Sequence, residues 1–166
     1  AKRPLTGEGV IPTATPRRAS RVLVGEQPGD QEDRQDRPFV GPAGRLLDQA
    51  LQEAGIPREA LYVTYAVKHS IGLPAASGGC ISAREGEIDA CVPWLMAVAQ
   101  VIRPQAVVCP GATAARAAFG RAVRLKDVRG RFSATPLADR TFVRNRSPLG
   151  PYCGSTRRSV TTNTAV

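Results

Sequence analysis

The chain has four cysteines among its 166 residues, Cys80, Cys91, Cys109 and Cys153, and no two of them form a CxxC pair. Scattered cysteines of this kind argue against a disulfide framework. There is a single histidine, His69, and a lone histidine is more often structural than a ligand. No apolar run approaches the length needed to span a bilayer, and no apolar core of a secretion signal is visible. The expectation is a cytoplasmic protein with no membrane partner. No internal repeat is visible either, so the chain reads as one domain, long enough to bury a sizeable core.

Acidic residues are also scarce beside basic ones, 14 against 23, which leaves a net charge of +9 and a pI near 10.3. Such a balance fits a polyanionic partner such as DNA. Solvation of the surface is the plainer alternative, and the paired arginines Arg17-Arg18 and Arg157-Arg158 read equally as tails. The apolar fraction, 42%, suits a soluble globule.

Residues 1–20 are rich in Pro, Thr and Arg and read as an irregular lead-in. A short apolar strand is expected over 21–24, then a polar loop and a helix over 44–54 with Gly55 as its stop. A second strand is expected over 61–67, and a Gly/Ala/Ser-rich loop over 70–82. A long helix follows over 84–102, broken or kinked near Pro93, then a third strand over 106–109 that buries Cys109 as a small hydrophobe. An alanine-rich helix over 111–119 and a fourth strand over 140–143 complete the pattern. Alternation of strand and helix predicts a three-layer α/β/α domain over 21–143 with a central, mostly parallel four-stranded sheet. Residues 144–166 lack patterning and are expected to be a disordered tail.

The stretch Gly25-Glu26-Gln27-Pro28-Gly29-Asp30 follows the first strand, and the loop it opens ends in Arg37-Pro38-Phe39-Val40-Gly41. Loops at the carboxyl ends of parallel strands are where open α/β sheets hold ligands, and one this long and polar reads as a site. Among its acids, Asp30, Glu32, Asp33 and Asp36 are also good turn formers. Phe39 reads from pattern alone either as a core aromatic or as a flat wall.

These motifs resemble the uracil-DNA glycosylase superfamily, most closely its iron–sulfur branch, family 4 and the uracil-DNA-crosslinking relative UdgX. The resemblance runs from about Gly9 to Val143. It implies the uracil-DNA glycosylase fold and a DNA-repair N-glycosylase that flips uracil out of single- or double-stranded DNA. The glycosidic bond is then cleaved, or the site captured covalently. It makes Gln27 and Asp30 the catalytic candidates, a carboxylate being suited to the positive charge that builds on the sugar. Gly25, Glu26, Gln27, Phe39 and Tyr65 become the substrate-binding set, with Phe39 as the stacking wall. A monomer is expected.

Three departures from that pattern stand out. The family carries an asparagine where this chain has Tyr65, in Val63-Thr64-Tyr65. A phenol cannot present an amide's paired donor and acceptor, and its ring takes up pocket volume. His69 and Cys91 fall at cluster-ligand places, but a [4Fe–4S] cluster wants four ligands. The family's first two form an N-terminal CxxC that is missing here, so the chain is expected to be truncated and not to hold a cluster. Finally, UdgX-like proteins carry a loop ending in Lys-Arg-Arg-x-His, whose histidine crosslinks, and the family carries a C-terminal His-Pro-Ser. Here Cys80 to Ser82 stand at the crosslinking position and Arg144 to Gly150 at the second.

Both missing motifs are recoverable one base out of frame. Encoding Arg144 to Leu149 as CGC-AAC-CGT-TCA-CCC-CTC and dropping the first base gives Ala-Thr-Val-His-Pro and a serine codon completed by the next base. Over 70–82, taking the last base of each codon with the first two of the next gives a Lys-Arg-Arg-x-His loop. Residues 70–82 and 144–166 are therefore read as frameshift products, the alternative being diverged loops and a natural tail. The expected function is a uracil-DNA glycosylase-like repair protein with impaired chemistry, the alternative being a non-catalytic DNA-binding remnant. Sequencing the gene is expected to show CAC across the junction of Ser147 and Pro148; codons that cannot spell it sink the frame argument.

Overall fold

The segment Arg21–Gly25 is exposed at its first residue and buried at the next four, the mark of a strand covered on both faces. The computed structural model describes residues 19–69 and 83–143. Five strands, β1 (Arg21–Gly25), β2 (Leu61–Tyr65), β3 (Ala106–Cys109), β4 (Phe132–Thr135) and β5 (Ala138–Val143), form one sheet in the order β2-β1-β3-β5-β4. β1 pairs in parallel with both β2 and β3, and β3 with β5. The chain leaves β1 to one side and returns on the other. The carboxyl ends of β1 and β3 therefore flank a switch point, the place where such sheets open a crevice.

Alternate residues of β1 supply two cores. Val22 and Val24 join Val107, Cys109 and Val143 against α3 (Glu85–Ile102) and α4 (Ala112–Phe119), through Ile88, Cys91, Leu95 and a run of alanines. Leu23 joins Val63 and Tyr65 against Leu47 and Leu51 of α2 (Pro42–Glu53). The expected α/β/α layering and mostly parallel sheet are present. Gly55 ends α2 as expected: at φ 64 it lets Ile56 donate back to the Leu51 carbonyl at 2.9 Å. Arg116 ties α4 to α3 through Asp89 at 3.2 Å and Glu85 at 3.7 Å.

The sheet has five strands rather than the expected four. β4 reads Phe-Ser-Ala-Thr, is exposed or half-buried throughout, and pairs only with β5, antiparallel, across a two-residue turn. An edge strand needs no buried apolar run, so hydrophobic pattern does not reveal it. Two short helices were also not expected, α1 (Asp30–Gln35) and α5 (Leu125–Val128). α3 runs as one element through Pro93 rather than breaking there. Among the described residues no helix is long and apolar enough to cross a membrane.

Candidate functional site at the carboxyl ends of β1 and β2

β1 and β2 end in register, Gly25 opposite Tyr65, and the two chains stay tied beyond the strands. Ala66 donates to the Gly25 carbonyl at 2.8 Å and Val67 to the Glu26 carbonyl at 2.9 Å. The turn after Gly25 thereby becomes a rigid ledge. Pro28 is fully buried, Gln27 is half-buried, and the Glu26 carboxylate accepts the Ala83 N–H at 3.1 Å. Glu26 thus ties the ledge to the approach to α3.

The loop from the ledge to α2 is organised by one buried acid. Glu32, 5% exposed, accepts the Gly29 N–H on one carboxylate oxygen at 3.1 Å and the Gly41 N–H on the other at 2.8 Å. The first bond caps α1, and the second bridges nine residues to the start of α2. Between these anchors Phe39 sits at φ 53, a left-handed backbone that a bulky residue adopts only under constraint. The constraints are visible. The Arg58 guanidinium donates to the Pro38 carbonyl at 2.9 Å and to the Phe39 carbonyl at 3.2 Å, and pairs with Asp48. A Cβ at Gly44 would lie 1.8 Å from the Phe39 oxygen, so only glycine admits this path.

The side chain held in this way is a wall with something already against it. The rings of Phe39 and Tyr65 stack with centroids 4.9 Å apart and planes 4° apart, and the Phe39 N–H donates to Tyr65 Oη at 2.8 Å. Both rings are buried, 4% and 5% exposed. Gly25 is their floor: a Cβ there would stand 2.7 Å from Phe39 Cζ and 2.8 Å from Tyr65 Cδ1. Burial pushes the Tyr65 phenol well above its ordinary range, so it stays protonated at any physiological pH.

Of the residues singled out in the sequence, the fold therefore brings together Gly25, Phe39 and Tyr65. Asp30 lies in the first turn of α1 and forms an exposed ion pair with Arg34 at 3.0 Å. His69 is half-buried in the bend after β2, and Cys91 is buried on α3, on the other face of the sheet from Phe39. Beside Cys91 lies Lys68, whose amine donates to Thr64 Oγ1 at 2.6 Å and to the Tyr65 carbonyl at 2.8 Å. Burial lowers its pKa to about 8. Among the described residues no three His, Cys, Asp or Glu side chains converge as metal ligands. Among the described residues, the donors near Cys91 are one thiol with an amine beside it, short of the four ligands that a cluster wants. Cys80 and Ser82, like the segments 70–82 and 144–166 read as frameshifted, lie outside the described residues. Glu32, Gly44 and Arg58 were missed as site-building residues. Glu32 alone left a trace, standing three residues after the N-cap Gly29.

Residues 12–156 match the family described as the uracil DNA glycosylase superfamily. The chain is similar to a protein of Thermotoga maritima named type-4 uracil-DNA glycosylase, 37% identical over 127 residues, covering 76% of this chain and 60% of that protein. Proteins of the same name from Pyrobaculum aerophilum and Archaeoglobus fulgidus are each 33% identical over 114 residues. They cover 66% and 69% of this chain, and 55% and 54% of their own lengths. The chain thus spans little more than half the length of these relatives.

Two outcomes follow from this geometry. Gly44→Ala is expected to destabilise the protein by about 3 kcal/mol, at the upper end of overpacking costs. Gly86→Ala, in α3 with open space around it, should stabilise by about 0.5–1 kcal/mol. Urea unfolding of both variants checks this, and equal effects would refute the Phe39 clamp. The second concerns Lys68. Its folded pKa, about 8, lies below its ordinary 10.5, so between these values the unfolded chain binds more protons and stability from this group rises with pH. Cys109, pushed up to about 12 from 9.0, opposes this above pH 9, because only the unfolded thiol ionises. The stability advantage of Lys68→Met over wild type should therefore shrink from pH 7 to pH 10, with Cys109 common to both. A gap that is constant with pH refutes it.

Proposed function

The chain belongs to the uracil-DNA glycosylase superfamily, and from that membership we propose that it is a DNA-repair protein of N-glycosylase type. The ancestral substrate in this reading is uracil in DNA, met in the cytoplasm by a monomer. The observation that carries the reading is the construction of Phe39. A strained, fourfold-anchored backbone holds one aromatic ring at the carboxyl end of β1, directly over the bare Cα of Gly25. Strain of this kind persists where the surrounding structure over-determines it for a use. An aromatic wall suits a base taken out of the stack.

In this reading Gln27 and Asp30 border the sugar. Cleavage of the N-glycosidic bond leaves positive charge on the deoxyribose and negative charge on the departing base. A carboxylate at Asp30 favours the first, and Gln27 orients water or the base edge. DNA has a second foothold on the β4–β5 hairpin. Phe132 is 53% exposed with Arg140 over its ring at 4.6 Å and Phe142 at 5.3 Å. Phe132 pairs with Phe142, one residue short of the carboxyl end of β5. The register sets Phe142 level with Val108 and Leu23, so the patch lies along the middle of the strands, at the opposite edge of the sheet from β2. Exposed aromatics among arginines suit stacked bases and phosphates.

The chemistry of this chain is impaired in the same reading. Ser147 and Pro148 stand where a His-Pro-Ser motif would supply a donor to the leaving anion. Loss of one such donor costs about 10²–10³ in rate. No step is assigned to an iron–sulfur cluster. Incubation with single-stranded uracil-DNA, followed by alkali cleavage and a denaturing gel, is expected to show release at least about 100-fold slower than in an intact family member, and no shifted adduct band. DNA binding itself should fall steeply with salt and weaken in Arg140→Glu. Rapid release, or an affinity flat with salt, would refute the reading.

A further inference from the structure

Tyr65 and Phe39 together contain what a base-binding slot contains with its ligand in place. One flat ring lies on another, 4° from parallel. The polar atom of the upper ring accepts the one backbone N–H that the wall offers, at 2.8 Å. Both rings are withdrawn from water. The slot has no room for a third layer: a ring between the two would hold them about 7 Å apart, twice the carbon–carbon contact distance, and they stand at 4.9 Å. Gly25 closes the remaining direction, its Cα lying so near both rings that a methyl would strike each of them.

We propose that Tyr65 acts as an internal surrogate for the flipped base, so that this site excludes uracil and instead selects DNA carrying a base-free deoxyribose. This rests on the reading of the Phe39 face as the base subsite. The phenol supplies the ring, the stack and the hydrogen-bond acceptor that a pyrimidine would bring. What remains open to DNA is the sugar and its phosphates, bordered by Gln27 and Asp30. An abasic nucleotide brings no ring to compete with Tyr65 and no base-pairing to break before it leaves the helix. A uracil nucleotide must first evict Tyr65, which strips the Phe39 N–H of its acceptor and opens an aromatic contact. Tyr65 is a specificity-determining residue on this account, and the hydroxyl matters less than the ring.

The test uses one single-stranded sequence with thymine, uracil or tetrahydrofuran, a stable abasic analogue, at a central position. Affinities are read by fluorescence anisotropy for wild type, Tyr65→Phe, Tyr65→Ala and Tyr65→Asn. Wild type should bind the tetrahydrofuran strand about tenfold tighter than the uracil strand, the scale of one aromatic stack, and the uracil strand no better than the thymine strand. Tyr65→Phe should behave likewise. Whichever of Tyr65→Ala and Tyr65→Asn melts cooperatively should lose most of the tetrahydrofuran preference and gain a melting-temperature rise with millimolar free uracil. A wild type that prefers uracil to thymine overturns the proposal and leaves the base-subsite reading standing. A folded, ring-deleted variant that gains no response to uracil also overturns it. Equal affinities for all three strands in every variant overturn the base-subsite reading and the proposal together.

Discussion

The backbone of Phe39, at φ 53, is the constraint on which the site depends. A phenylalanine in the left-handed region is unfavourable by an amount comparable to one or two good interactions, so it must be held from several sides at once. Arg58 holds its carbonyl, Tyr65 its N–H, Glu32 the chain two residues on, and the bare Cα of Gly44 leaves the carbonyl its space. Each contact comes from a different element: the turn before β2, β2 itself, α1 and α2. The aromatic wall is therefore a product of the whole α2 face of the sheet.

Glu32 shows how the loop that looks merely acidic is organised. Its neighbours Asp30 and Asp33 are exposed, as turn-forming acids should be, whereas Glu32 is buried. A buried carboxylate is costly unless its oxygens are satisfied, and here two backbone N–H groups satisfy them. That one side chain converts a thirteen-residue excursion between β1 and Phe39 into a short helix with fixed ends. The two faces of the sheet divide the remaining roles. The α2 face carries the stacked rings and the exposed Phe132–Arg140 patch, while the α3 face carries Cys91, Lys68 and the larger apolar core.

The sequence by itself determined the layout: buried runs such as Val22 to Val24 and Ala106 to Cys109 announce interior strands because they are apolar over their whole length, and the α2 stripe of Leu47 and Leu51, stopped by Gly55, announces its helix. It also determined that Gly25, Phe39 and Tyr65 belong to one site, through the order and wording of their motifs. β4 was invisible because an edge strand half open to water carries no hydrophobic signature, and α1 because six polar residues have no apolar face to read. Tertiary structure alone decided that Tyr65 lies flat on Phe39, since 26 residues separate them and only the pairing of β1 with β2 brings them face to face. It alone decided that Glu32, Arg58 and Gly44 serve Phe39, because backbone carbonyls and amides, the groups they touch, are the same in every residue and leave no mark in a sequence.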